Sequence, residues 1–550
     1  MIALLAAAAA NDLVVALEEE LARADQLALP DAPPLYSLRY HLATIDQYEL
    51  VATFGSVLQE DDRPSSGLGV ELRVGEPGYD NTGFGGWENG FMRGYLAREP
   101  TPRDTREVAW RTTDRAYKQA VEQHARKSAQ FNPPPDYPGD YWVPEPLKAD
   151  DGAPPVLDTA GVRASALAAS AVFASAGESL LMGEVHVGAE AGDLWLVDGE
   201  GTRLRRPLAE ASVRAFAALR TEDGELLTDQ RFWCAREASK LPGQDVMVAE
   251  VEAMRDALLA RADAVPLEDE YVGPVVFEGD AALDLFRYLL VPQLEGTPGE
   301  IPFSSFFGDL GDAGDSVRVG RRVLPEGWSV VDDPVLDPDH PAAYQHDWDG
   351  TPAKRVDLVD DGIVHDLLMS RVPRKGLEPN GHGRSFLGTR AQGRAVQLDV
   401  TPARTRTQHA LIKKGLRMAA PYGLDHVIVI RRLQEYSVRS SAGSYGGSDE
   451  GPSLPPPVEI VRVYADGTET PVRGATFASV QRYLLRDIAL AGPVHTGTFL
   501  APVDGEYAWI GPIEGMATAI TAPDVLVREI ELVPGSRDPR DTPVLRPPAP

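Results

Sequence analysis

The sequence predicts an α+β protein, with an N-terminal α/β part followed by a large β-rich C-terminal part. Three observations carry this. Residues with helical spacing fall mostly before residue 266, whereas short strand-like runs between turn signals dominate from Val272 to Leu532. Gly and Pro, at 51 and 46 of 550 residues, exceed the usual share and favour many turns over long helical bundles. The hydrophobic fraction of 43% is enough for a packed core and excludes global disorder.

The elements follow in order. Leu13, Leu17, Leu21 and Ala24 lie on one helical face opposite Glu18–Glu20, which predicts a helix over residues 11–27. Strand-like runs follow at Leu35–Thr44, Tyr48–Leu58 and Leu68–Val74, and this first block closes near residue 75. Residues 76–155 read as a Gly/Pro-rich insertion: a glycine-rich loop to residue 90, one polar helix over Thr105–Lys127, and an acidic Pro-rich linker. A middle α/β section, residues 156–270, holds a small-residue helix at Ala160–Ala176. Strands are expected there at Leu180–Ala189, Leu194–Val197 and Ala211–Leu219, and an amphipathic helix at Asp245–Val265 that Pro266 ends. Residues 271–534 form the β-rich part, with hairpin turns at Asp361-Gly362 and Asp466-Gly467. Residues 535–550 carry five prolines and read as a tail.

The charge balance is −30, from 83 acidic and 53 basic residues, which disfavours nucleic acid as a partner. One cysteine excludes an internal disulfide framework and a multi-Cys zinc knuckle. No apolar run reaches the eighteen or so residues of a membrane span. Met1–Ala10 reads either as the apolar core of an export signal or as the first turns of the first helix. The missing basic residues ahead of it favour the helix, and with it a cytoplasmic over a periplasmic location.

The chain contains no HExxH and no HExxxH. His186 and Glu190 sit in a strand-like run, where i and i+4 stand about 13 Å apart, too far to share a metal. Cys234 has no nearby His in sequence and reads as a structural thiol. The stretch Val331–Gly350 packs six aspartates with His340 and His346. Its spacing fits no EF-hand, so a solvated acidic turn is expected over a cation site. Ala442–Gly446 echoes a nucleophile elbow without its leading Gly, and Gly446-Gly447 reads as flexible loop. The most distinctive stretch is Asp357–Arg394. Asn380-Gly381-His382-Gly383-Arg384 alternates glycine with groups that bind anions, and Arg371, Arg374, Lys375, Arg390 and Arg394 surround it with positive charge. This is either a seat for a carboxylate or a loop whose arginines pair with the acids of residues 332–361.

These residues resemble a family. Val319–Pro325 with Val330–Pro334, Asp349-Gly350-Thr351-Pro352-Ala353 with Val356–Val364, Asn380–Arg384, and Pro471-Val472-Arg473-Gly474-Ala475-Thr476 are similar, in order, to segments of the TldD/PmbA proteins. Gly67–Arg73 resembles the family's "GxGVR" strand. The resemblance implies peptidases of small or unfolded peptides, working as paired subunits, with a TldD-type subunit whose HExxxH and distant C-terminal Cys bind zinc. This chain departs there. Gly273–Ala282 stands where the HExxxH helix would begin and has no His, and Tyr507–Gly515 has no Cys. The chain therefore looks closer to the PmbA-type side.

The resemblance thus implies no cofactor, zinc being expected only with the family site intact. A HExxxH-bearing relative is the expected hetero-oligomeric partner, peptides are the expected ligands, and the catalytic residues are left open. Arg371, Asn380, Gly381, His382, Gly383 and Arg384 are the expected peptide-binding residues. The alternatives are an active peptidase with relocated ligands among His340, His346, His365 and His382, and a binding or scaffold protein without enzymatic activity.

Overall fold

A computed structural model describes residues 2–535 except residues 25, 86–88, 222–223, 302–318, 435–453, 481, 502–509 and 514. The nucleophile-elbow echo at 442–446, Gly446-Gly447, the tail beyond residue 535, and Tyr507–Trp509 with Glu514 lie outside the described residues.

The first sheet comprises β1 (Leu35–Thr53), β2 (Ser56–Glu76), β3 (Tyr79–Asp80), β4 (Phe91–Tyr95), β5 (Lys148–Asp150), β6 (Leu180–Asp198), β7 (Arg203–Arg220) and β8 (Leu226–Ala235). Their order is β3-β2-β1-β6-β7-β5, with β4 on β2 and β8 on β7. All pairs are antiparallel except β5 with β7. The sheet thus draws strands from every segment before residue 236.

Two pairs of expected strands prove continuous. Asp46-Gln47 reads as a break, yet both residues pair on both sides, with Pro64 and Arg63 in β2 and with Ala191 and Glu190 in β6. The turn comes instead at Phe54-Gly55, both at positive φ. Leu180–Ala189 and Leu194–Val197 fuse into β6 through Gly192. A Cβ there would sit 2.1 Å from the Thr44 carbonyl, so only glycine lets the two strands close.

Helices α1 (Ile2–Ala24), α2 (Pro102–Gln130), α3 (Ala160–Ala171) and α4 (Gln244–Ala262) cover one side of this sheet. Leu13, Leu17 and Leu21 of α1 meet Ala109, Ala116 and Ala120 of α2 over Leu42, Leu68 and Val70. Helix α2 starts early, at Pro102, because Thr101 and Asp104 form a reciprocal capping box. Met247, Val251, Met254 and Leu258 of α4 pack with Ala166 and Ala169 of α3 over β6 and β7. The small-residue helix ends at Ala171 and continues as a 3-10 turn to Ser179.

The second sheet holds β9 (Val265–Pro266), β10 (Tyr271–Phe277), β11 (Ser329–Asp332), β12 (Val356–Asp360) and β13 (Ile363–Val364). After the small hairpin β14 (Gly383–Arg384) and β15 (Gln392–Gly393) it continues with β16 (Gln397–Thr401), β17 (His426–Leu433) and β18 (Pro457–Tyr464). β19 (Glu469–Arg473), β20 (Ala475–Phe477), β21 (Ile488–Ala501) and β22 (Met516–Pro534) complete it. Helices α5 (Asp280–Leu289) and α6 (Gln408–Ala419) lie on opposite faces. The pleat sorts the side chains between them. Val275, Phe277, Ile428 and Ile430 join the core with α5, while Val276, Val427 and Val429 join Leu411 of α6. Asp361-Gly362, both at positive φ, and Gly467 make the two expected hairpin turns.

The α+β class expected from the sequence holds. The other side of the first sheet packs on the C-terminal part. A Cβ at Gly67 would meet Leu387 and Ile510, and one at Gly69 would meet Gly388. No helix among the described residues is long and apolar enough to cross a membrane.

Candidate functional site

The loop Asn380–Arg384 is fastened from within. Asn380 Nδ2 donates to the Leu367 carbonyl at 2.7 Å, and its Oδ1 accepts the Met369 N–H at 2.9 Å. His382 Nε2 lies 3.0 Å from Asp332 Oδ1, both side chains fully buried. Asp332 also accepts the N–H groups of Val396 and Gln397, so it ties three segments together. Gly381, at φ +79°, has the Pro352 carbonyl 2.3 Å from where a Cβ would stand. The Gly383 N–H donates to Asp347 Oδ2 at 2.8 Å.

Arg384 reaches the edge of a small cavity, but its terminal nitrogens are bonded to protein. Nη1 donates to the Ala395 carbonyl and Thr518 Oγ1, and Nη2 to the Ala517 carbonyl. Burial holds its pKa below the usual arginine value. The other basic residues disperse. Arg374 bonds the Gly296 carbonyl, Lys375 pairs with Asp136, Arg390 bonds the Pro298 carbonyl and Arg394 pairs with Glu295. Arg371 is buried, and its own N–H donates to Asp349 Oδ2 at 3.3 Å. Of the six expected site residues, Gly383 and Arg384 line this cavity, whereas Arg371, Asn380, Gly381 and His382 are buried and are not part of its lining.

The acidic stretch differs from the solvated turn expected. Asp337 and Asp339 are exposed, but Asp332, Asp347 and Asp349 are buried. Backbone N–H groups, His382 and Arg39 compensate them, which a sequence pattern cannot display. The four candidate histidines are not gathered. His340 meets Thr498, His346 meets Asp151, His365 is exposed and His382 is buried.

A larger cleft, about 670 Å³, opens between the two sheets. Seven consecutive residues of β8, Thr228–Cys234, line it on one side, and Thr496–Phe499 of β21 line it on another. Successive strand side chains point to opposite faces, so an unbroken run of lining residues means that the strand edge itself faces the space. Both are edges among the described residues: β8 pairs with β7 alone, and β21 joins the sheet along β22. The first turns of α5 supply Asp280, Leu283, Asp284 and Arg287 to the same wall. Asp229 anchors the floor, accepting both Arg261 and Arg432. Burial opposes the Arg432 charge, but Asp229 and Glu459 outweigh it and hold its pKa up. Sequence reading missed this wall because Leu226–Ala235 alternates poorly. The aromatic pair Phe232-Trp233 beside Cys234 was the available signal.

Residues 270–532 match the PmbA/TldA metallopeptidase C-terminal domain. This segment, a little under half of the chain, is a C-terminal domain of the TldD/PmbA type. Solved structures share the fold along nearly the whole chain. A putative modulator of DNA gyrase from Thermotoga maritima superposes with a TM-score of 0.56 at 16% identity, covering 90% of this chain and 96% of that one. TldE from Thermococcus kodakarensis gives 0.56 at 13% identity, covering 94% and 100%. A putative modulator of DNA gyrase from Bacteroides thetaiotaomicron gives 0.55 at 12%, covering 96% and 98%. A curated protein from Methanothermobacter thermautotrophicus, named metalloprotease, is 36% identical over 85 residues, 14% of this chain and 18% of its own length.

Among the described residues no zinc-ligand set stands at the segment where the resemblance places one. Where the HExxxH helix was expected, α5 presents Asp280, Ala281, Ala282, Leu283 and Asp284. No group of three His, Cys, Asp or Glu side chains among the described residues has the arrangement of a metal site. Cys234, on the cleft wall, donates to Glu210 Oε1 at 3.6 Å, and burial followed by that carboxylate pushes its pKa up, away from thiolate chemistry.

Proposed function

We propose that this TldD/PmbA-family chain is a peptide-holding subunit without its own catalytic zinc. It takes part in proteolysis of small or unfolded peptides together with a HExxxH-bearing relative. The observation that carries this reading is the pair of strand edges facing one cleft. An extended peptide entering there runs along β8 and β21, each flanked by a single strand, and is held by main-chain pairing where the edge is not already used by side chains such as Asp229 on the Gln230 N–H and Arg261 on the Thr228 carbonyl. Main-chain recognition tolerates varied side chains, as unfolded substrates require. Phe216, Phe232 and Phe499 offer apolar surface for alternate side chains, while Asp284 and Arg287 border the polar side. The name metalloprotease of the curated relative supports a place in peptide hydrolysis.

The test is calorimetry on the full chain with a heptapeptide and the same peptide N-methylated at alternate residues. N-methylation removes main-chain donors and should weaken binding at least tenfold, the equivalent of one or two hydrogen bonds at about 1 kcal/mol each. Equal affinities for the two peptides would remove the edge-pairing reading.

A further inference from the structure

Helix α6 and the loop ahead of it carry a positive surface that the chain does not neutralise. Residues 401–424 hold Arg404, Arg406, Lys413, Lys414 and Arg417, and no Asp or Glu. With 83 acids in 550 residues, a stretch of this length would ordinarily hold several. All five cations are exposed, and none makes a side-chain hydrogen bond or ion pair among the described residues. The acids at the border are engaged elsewhere. Asp425 pairs with His426, and Glu529 accepts the Tyr422 hydroxyl.

Helix α2 shows the contrast. It sets Glu107 against Arg111, Asp114 against Lys118 and Glu122 against Arg126, each at i,i+4. On α6 the i,i+4 pair is Lys413 and Arg417, like charges that destabilise a helix. Arg404 and Arg406 stand ahead of the positive end of the same helix, whose first turn holds no acid, although acids are favoured there. The loop is fixed in place: the Arg406 N–H donates to the Ala491 carbonyl at 2.8 Å, and the Thr407 side chain caps the helix. The cations are therefore held together at a cost that a bound anion would remove. From Arg406 to Arg417 the strip is roughly 17 Å long at 1.5 Å per residue, the span of about five extended residues.

We propose that α6 docks an acidic segment of a different protein chain. The charge pattern selects this occupant. Outside the strip the chain stands at −35, against −30 for the whole, so a broad polyanion such as duplex nucleic acid or an anionic membrane meets repulsion beyond it. A two-fold contact with a second copy sets the strip against itself and is repelled. A short acidic segment covers the strip alone. The surface lies on the face of the second sheet opposite α5, whose first turns line the β8–β21 cleft, so a docked partner leaves that cleft open. The inference stands whether or not peptides bind in the cleft.

The test is fluorescence anisotropy on the full chain at about 0.15 M salt, with labelled hexaglutamate and hexaglutamine. Hexaglutamate should bind at least roughly tenfold tighter. Lys413→Glu/Arg417→Glu should weaken it by about tenfold or more, and Lys413→Gln/Arg417→Gln by about threefold or more. The neutral pair carries the test if the reversed pair fails to fold. Arg111→Glu/Lys118→Glu makes the same change of net charge on α2 and should leave the affinity within about twofold. Equal affinity for hexaglutamine, an equal loss in the α2 variant, or wild-type affinity in folded Lys413→Gln/Arg417→Gln would each overturn the inference. So would tighter binding of a short DNA duplex or of phosphatidylserine vesicles, which would assign the strip to a polyanion. Self-association in sedimentation that Lys413→Glu/Arg417→Glu abolishes would assign it to a second copy and overturn the inference as well.

Discussion

Arg39 in β1 donates Nη1 to Asp349 Oδ1 at 3.1 Å and Nη2 to the Asp349 carbonyl at 2.7 Å, joining the first sheet to the loop that carries the DGTP segment. Arg39 is 1% exposed and Asp349 5%. Burial opposes the Arg39 charge, yet Tyr141, Glu71, Asp349 and Asp198 together raise its pKa. Arg39→Met leaves these acids buried without their cation and should destabilise the chain by about 3–5 kcal/mol. Arg39→Met/Asp349→Leu should recover part of the loss, with a coupling above about 1 kcal/mol in urea unfolding. Strict additivity would show that the two residues are not energetically joined.

Arg384→Ala should act on stability. Its guanidinium serves the Ala395 and Ala517 carbonyls and Thr518, and removing it leaves buried acceptors unmatched, at a cost of roughly 2–4 kcal/mol. Lys375→Ala, which breaks an exposed pair with Asp136, should leave the unfolding midpoint unchanged. If Arg384→Ala instead kept its midpoint and lost peptide affinity, Arg384 would be a ligand contact, as the sequence pattern suggests.

Glu210 should make stability depend on pH. Its folded pKa of about 7 lies above the ordinary carboxylate value, so the folded state holds the proton more tightly between roughly pH 4.5 and 7. Stability therefore falls as pH rises through that window, by up to roughly 3 kcal/mol from this group. Glu210→Gln cannot ionise, so relative to wild type it should be more stable at pH 8 than at pH 5. A wild-type-to-variant difference that is flat between pH 5 and pH 8 would contradict this.

The purified chain should carry well under one zinc per molecule by elemental analysis. The motivation is the α5 segment, which offers Asp280 and Asp284 and no His. Glu278, which accepts Arg431 Nε at 3.3 Å, should be replaceable by Ala with no effect on any peptidase activity of the isolated chain. One tightly held zinc, or a loss above about a hundredfold in Glu278→Ala with the fold intact, would restore a catalytic role to this region.

What could be read along the chain was periodic or local. Leu13, Leu17 and Leu21 betrayed their helix, Asp361-Gly362 and Asp466-Gly467 their turns, and the motif order from Val319 to Thr476 the family domain. Each depends on neighbours within a few residues, so the linear order retains it. Asp46-Gln47 and Gly192 misled because their partners lie in other strands, and pairing on both sides overrode a local appearance of breakage.

The sequence by itself thus determined the class, the turns, the family resemblance and the lack of a HExxxH motif. Tertiary structure alone decided what each charged group does. The Asn380–Arg384 loop looks like a binding loop in one dimension. In the fold its polar groups meet Asp332, Asp347, Leu367 and Ala395, and most of them are used up internally. The cleft edges of β8 and β21 lie about 260 residues apart in the chain, and the Glu190–Glu210 pair exists only through register. Burial and register are properties of packing between distant segments, so composition and spacing cannot carry them.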